Sequence, residues 1–226
     1  MKRIFIAISA IVLMLAMSGA VCAAERTGFE AGIKLWFNDW THDVPGVGSF
    51  TSDTAVLIGP AVNIALGSRA FVEASYLATG SDYRFVDPAI AGNTERHDVD
   101  LVAGLRIVPE FSLLAGYKDS QFNNRVTSTK ATVSGPVIGV RADLPMDPYL
   151  AFYIGSNYLF TKFKQQDLIG SFQENSPGWT FEFGFKYSIT REFQGSFGYK
   201  YETNTGRDSN VQDTFSGITL SGMVVF

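Results

Sequence analysis

The sequence predicts an all-β chain: a closed, antiparallel, up-and-down transmembrane β-barrel of ten strands, with eight as the alternative, behind an N-terminal signal peptide. Three observations predict it. Apolar residues recur with period two in segment after segment. Short turns alternate with longer polar stretches along the whole chain. Aromatic residues are abundant, at 19 Phe, 9 Tyr and 3 Trp, yet past the N-terminal segment no apolar run is long enough for a membrane-spanning helix.

The first element is the N-terminal segment. Lys2 and Arg3 precede an apolar run from Ile4 to Met17, and small residues follow up to Ala23. A basic end, a short apolar core and a small-residue exit describe a secretory signal peptide over 1–23. Cleavage after Ala23 leaves 24–226 as one domain. Cys22 is the only cysteine, so the expected mature chain carries no thiol through an oxidising periplasm. The net charge of −4 argues against a nucleic-acid partner.

The strands come next. Short turn signals stand at Gly67-Ser68-Arg69, Val108-Pro109-Glu110, Pro145-Met146-Asp147-Pro148 and Thr190-Arg191-Glu192. With Phe29, they place strand starts near 29, 70, 111, 149 and 193, a repeat of about 40 residues. Polar stretches at 38–53, 79–95, 119–131, 163–177 and 203–213 are read as long outer loops. Five repeats of strand, loop and strand give ten strands. Alternation is clean in 29–37, 96–107, 179–189 and 193–202, and weaker in 70–78 and 149–161. A soluble sandwich would not carry bulky aromatics on nearly every apolar face. A β-propeller needs four strands per repeat rather than two. Pro60 and Pro136 fall mid-strand, where proline cannot donate to a ladder, so a β-bulge is expected at each.

The last strand carries a resemblance. Counting back from Phe226, one face holds Val224, Gly222, Leu220 and Ile218, and the other holds Val225, Met223, Ser221 and Thr219. This resembles the closing strand of bacterial outer-membrane β-barrels, whose last residue is typically Phe. The resemblance implies a Gram-negative outer membrane and both mature ends in the periplasm. It implies contact with outer-membrane lipid and lipopolysaccharide, and Phe226 acting as an insertion signal for the barrel-assembly machinery. Parity puts Ile218, Leu220 and Val224 on lipid, and Thr219, Ser221 and Met223 inside, beside Glu30 and Lys34.

The same parity sends the charges inward. Lys34, Arg96, Arg106, Lys118, Arg141, Lys186 and Lys200 face Glu30, Glu73, Asp98, Asp100, Asp143, Glu182 and Glu202, seven against seven. Glu182 and Lys186 are expected opposite Lys200 and Glu202. A balanced set in a barrel that also holds Trp36 and Tyr153 reads as a packed or narrow lumen. The expected role is therefore structural or interactive in the cell envelope. A passive, porin-like small-solute channel is the alternative.

Evidence for chemistry is sparse. The strand count is similar to that of the omptin proteases, which use an Asp-x-Asp and an Asp-x-His pair at the outer rim. Asp98-Val99-Asp100 fits the first, but no Asp-x-His exists here. The plain reading of the two carboxylates is pairing with Arg96 and Arg106. His97 shares the lipid face of Val99 and Leu101. His42 with Ser49 or Ser52 forms no recognisable nucleophile pair. No metal-ligand pattern or cofactor motif is present, and no enzyme activity is expected; a surface hydrolase of omptin type is the second alternative to the structural role, after the channel. At the rim, Arg125, Lys130, Lys162 and Lys164 are candidates for lipopolysaccharide phosphates. Phe50, Tyr83, Phe85, Phe122, Leu168, Ile169 and Phe172 are apolar residues expected at exposed places, capping the barrel or reaching headgroups.

Overall fold

The computed structural model describes residues 28–85, 93–167 and 170–226. The expected signal segment, Leu168 and Ile169 lie outside them. The strands are β1 (Phe29–Val44), β2 (Gly48–Thr51), β3 (Ala55–Leu66), β4 (Ala70–Ser81), β5 (Tyr83–Arg84), β6 (Asn93–Val108) and β7 (Phe111–Asn124). They continue with β8 (Lys130–Pro145), β9 (Leu150–Leu159), β10 (Lys162–Gln166), β11 (Ser171–Asn175), β12 (Gly178–Ser188), β13 (Phe193–Thr205) and β14 (Gln212–Val225). Ten of them close a ring: β1, β3, β4, β6, β7, β8, β9, β12, β13, β14 and back to β1. The four short strands extend this wall outward, with β2 on β1, β5 on β6, and β10 between β8 and β11. The barrel is thus the ten-strand one.

The turns at one end follow the sequence closely. Gly67 supplies the left-handed backbone of the β3–β4 turn, at φ 73°. Asp147 Oδ1 accepts the N–H groups of Tyr149 and Leu150, each at 2.7 Å, in the β8–β9 turn. At the other end the expectation of long loops needs correction. Most of 38–53, 119–131 and 163–177 is strand, and the stretches 79–95 and 203–213 begin and end as strand, because the ladders run on beyond the apolar band: β1 pairs with β14 as far as Asp43↔Gln212. A polar side chain facing water does not interrupt a hairpin whose backbone bonds are all made.

Closure has the register the last strand predicts. Lys34 pairs with Ser221, Trp36 with Thr219 and Phe37 with Ile218. Phe226 donates its N–H to Phe29 O at 2.8 Å, and the two rings lie 5.7 Å apart. Ile218 is 43 % exposed while Thr219 is 1 % exposed, so the two faces separate cleanly. Outward positions form an apolar belt, including Ile33, Leu105, Leu113, Ile138, Phe183 and Phe197. Five or six alternate residues per strand match the span of a tilted membrane strand. The belt stops above Phe37, Tyr117 and Ile138, where the outward series continues as Asp39 and Thr41, Asp119 and Gln121, and Ser134 and Thr132. His97 lies on this outer wall, stacked on Tyr76 and bonded to its hydroxyl at 3.1 Å.

The two prolines do not make bulges. Among the described residues the register shifts between Val56 and Leu57 and between Arg106 and Val108, away from both. Pro60 sits opposite Ile33 in an unbroken ladder to β1. The ladder to β4 lapses at Gly59 and Pro60, then resumes in the same register at Ala61↔Ser75. Pro136 accepts from Phe160 N at 2.9 Å, and the wall beside it breaks between β9 and β10. Each proline therefore costs one donor on one side without adding a residue.

Inside the lower half, glycine makes room for an aromatic ring. Phe71 lies flat on Gly104, where an added Cβ would stand 2.0 Å from the ring. The Arg141 guanidinium packs on the same ring at 4.7 Å. Gly104→Val is expected to lose about 1–3 kcal/mol through overpacking. A lowered temperature for loss of the fast-migrating form on a semi-native gel would show it, and an unchanged transition would refute this packing.

Candidate functional site: a buried charged layer between two cavities

The lumen holds three levels: an inner cavity, a buried layer and an outer vestibule. β6 runs through all three, with Thr94 lining the vestibule, Arg96 and Asp98 fully buried in the layer, and Asp100 lining the inner cavity.

The layer is built around Arg96. Its Nε donates to Asp98 Oδ1 and its Nη2 to Glu202 Oε1, both at 2.8 Å. Its face covers the Phe215 ring at 4.0 Å, with Trp36 at 5.1 Å and Phe122 at 5.2 Å. Lys118 reaches Glu202 at 3.0 Å and Asp100 at 3.3 Å, and Lys200 reaches Glu202 at 3.5 Å. Three cations thus meet three carboxylates, which is how buried charge is tolerated. Arg96 and Glu202 are on β6 and β13, five strands apart either way round the ring. Their bond crosses a full diameter. Phe122 on β7 and Phe215 on β14 are also diametric, and their rings stack at 5.7 Å.

The flanks of the layer are filled as well. Tyr83 donates to Asn38 Oδ1 at 2.6 Å, and both are buried. On the other side stand Leu159, Val133 and Thr161, with the Thr161 hydroxyl donating to Ser176 O. Tyr83 and Phe122 are consequently not exposed loop residues. They cap the barrel from within, while Phe172 remains exposed.

Toward the short turns lies a cavity of about 840 Å³. Arg141 bonds Glu73 at 2.7 Å and Asp143 at 3.0 Å, Lys186 bonds Asp143 at 2.6 Å, and Lys34 lies 3.5 Å from Glu182. Glu30 accepts from Asn63 at 3.1 Å, and Arg106 donates to Ser68 O at 3.1 Å. All fourteen charged residues therefore face the interior, but two pairings differ from expectation. Lys186 sits opposite Ser196 rather than Glu202 and turns to Asp143 on β8. Arg106 lies six residues below Asp100 along β6, out of reach, and Asp100 takes Lys118 instead.

Above the layer the barrel opens into a vestibule of about 390 Å³. Here His42 and Asp213 are cross-strand partners, with Nδ1 to Oδ1 at 2.6 Å. Because the carboxylate only accepts, Nδ1 carries the proton. Trp40 Nε1 donates to the same oxygen at 2.7 Å. This histidine–carboxylate pair is invisible to a search for Asp-x-His, since its members are 171 residues apart. Asp98 cannot join it, being sealed beneath the aromatic layer with Arg96 and Lys118. His42 stands above the lipid-facing belt. Burial lowers its pKa, but the bond to Asp213 and the nearby carboxylate charges raise it more, for a net rise. A raised folded value means the pair's stabilisation is complete below about pH 6.5 and is lost as pH climbs through the folded pKa. An NMR titration, with His97 as the only other imidazole, should show His42 protonating above its ordinary range and Asp213→Asn reversing the shift. An unshifted His42 would contradict the pairing.

The outer rim completes the picture. Glu174 on β11 accepts from the Ser209 hydroxyl at 2.6 Å and from the N–H groups of Asp208 and Ser209, which ties two hairpins together. These bonds outweigh burial and hold its carboxyl below the usual range. Arg125 is engaged by Glu95 and Asp82. Lys130, Lys162 and Lys164 are exposed, while Phe163 between the last two lines the vestibule. Among the described residues no group of histidine and carboxylate ligands is arranged to hold a metal.

Such a closed ring with an apolar outer belt defines an integral β-barrel of the Gram-negative outer membrane. The chain belongs to the outer membrane protein beta-barrel domain family, whose pattern matches residues 7–226. Its fold is similar to that of the outer membrane protease OmpT from Escherichia coli, at 12 % identity and a TM-score of 0.65, covering 91 % of this chain and 99 % of that one. It is also similar to an outer membrane channel from Pseudomonas putida F1, at 11 % identity and a TM-score of 0.51, covering 91 % and 97 %. At these identities the likeness is one of fold. Comparison with curated proteins gives no match.

Proposed function

We propose that this protein is a non-conducting outer-membrane barrel that serves a structural or interaction role at the cell surface, without catalysis. The observation that carries this reading is the diametric Arg96–Glu202 bond beneath the diametric Phe122–Phe215 stack. Two contacts across the full width of the lumen leave solutes no central path. Their charges balance within the layer, so no net field draws ions through. The working surface is then the outer one. Lys130, Lys162 and Lys164, just above the lipid belt, meet lipopolysaccharide phosphates, and Phe226 presents the closing strand to the barrel-assembly machinery.

Liposome swelling tests the reading. Proteoliposomes holding the folded barrel should swell in arabinose or glycine no faster than empty liposomes. Swelling that scales with protein content would favour the channel alternative.

A further inference from the structure

The vestibule has a composition that selects a ligand. Its floor is Phe122 and Phe215, and Trp40, Phe85 and Phe163 rise around it. Its volume falls within the roughly 300–1,000 Å³ range of small-molecule sites. Among the described lining residues the ionisable groups are Asp213, Glu174 and His42, with no Lys or Arg. Arg96 lies below the floor, but Asp98 and Glu202 compensate its charge. Glu174 is occupied by the three bonds that tie the hairpins. Asp213 is not fully used. Both of its recorded bonds, from Trp40 and His42, fall on Oδ1, and its side chain keeps 20 % of its exposure.

We propose that the vestibule binds small aromatic amines, with the ammonium on Asp213 Oδ2 and the aromatic body against Trp40 and Phe163 over the Phe122–Phe215 floor. Above the His42 titration the imidazole is neutral and its Nδ1–H is taken by Asp213, so an anion meets only carboxylates and ring faces, both electron-rich. A neutral aromatic would gain the apolar contact but not the ion pair. The inference rests on the sealed lumen in one respect: a closed floor makes the vestibule a place of binding rather than an entrance to a channel.

The test uses the folded barrel in detergent, at a pH above the His42 titration, with three probes that share one ring system: 1-naphthylmethylamine, 1-naphthylmethanol and 1-naphthylacetate. Binding is read by calorimetry against micelles alone. The amine should bind at least about tenfold more tightly than either of the others. Asp213→Asn should remove that preference while leaving the weak binding of the alcohol. Should that variant misfold, Gln165→Lys, which places a cation on the vestibule wall, should weaken the amine alone by about tenfold. Equal affinities for the three probes, or an amine preference that survives both substitutions, would overturn the proposal. Swelling of proteoliposomes would instead overturn the sealed lumen, so the two failures are distinguishable.

Discussion

Glu202→Ala is expected to lower the stability of the folded barrel by about 3–5 kcal/mol, the largest loss of any single replacement in the lumen. Glu202 is the shared partner of Arg96, Lys118 and Lys200. Removing it leaves three buried or nearly buried cations to Asp98 and Asp100, with Arg96 wholly out of water. Deleting one member of a buried pair exposes the desolvation cost of the other, whereas deleting both does not. Arg96→Met combined with Glu202→Leu should therefore recover much of the loss. A urea titration of the three proteins in lipid vesicles, read by tryptophan fluorescence, measures this. A Glu202→Ala midpoint equal to that of the wild type would mean the network is hydrated rather than buried.

The second large effect is on permeability. The triple variant Phe122→Ala, Phe215→Ala, Arg96→Ala removes both diametric contacts at once and joins the inner cavity to the vestibule. It should pass ions, whereas the wild type is expected to pass none. Asp98 and Glu202, freed from Arg96, would line the opening, so the current should favour cations. Reversal potentials in a salt gradient give the sign. Only protein in the fast-migrating folded form should be used, and a folded triple variant that stays silent would show that the flanks around Leu159, Thr161 and Tyr83 seal the lumen by themselves.

Most of the wall was legible in the sequence, and particular residues show why. The short turns carry Gly67, Pro109 and Asp147, whose backbone preferences act locally, and an aromatic or apolar residue opens each strand that follows. Inward and outward positions follow from Phe226 because the side-chain period of a strand is two. The sites around the lumen were less legible. Which charges pair depends on strand tilt and on height along the barrel, and neither is a property of one strand. Arg96 could be placed inside, but not its bond to Glu202, 106 residues away. Trp40, Phe163 and Phe215 each had the parity to point inward, yet their convergence with Phe122 needs four strands at one level. His42 and Asp213 meet only because closure sets β1 against β14 in one register. Pro60 and Pro136 lack the expected bulges for a related reason: whether a missing donor matters depends on which neighbour the residue faces. The polar stretches looked like loops because composition reports the solvent, while hydrogen bonding decides the strand.

If a salt-bridged aromatic layer closes this barrel, single-channel recording of the wild-type protein in a planar bilayer will show it. The baseline should stay flat in 1 M KCl at either polarity after insertion of folded protein, at an ionic strength (Debye length about 3 Å) where exposed ion pairs are screened and this buried network is not. Stable, reproducible conductance steps from the wild type would contradict it.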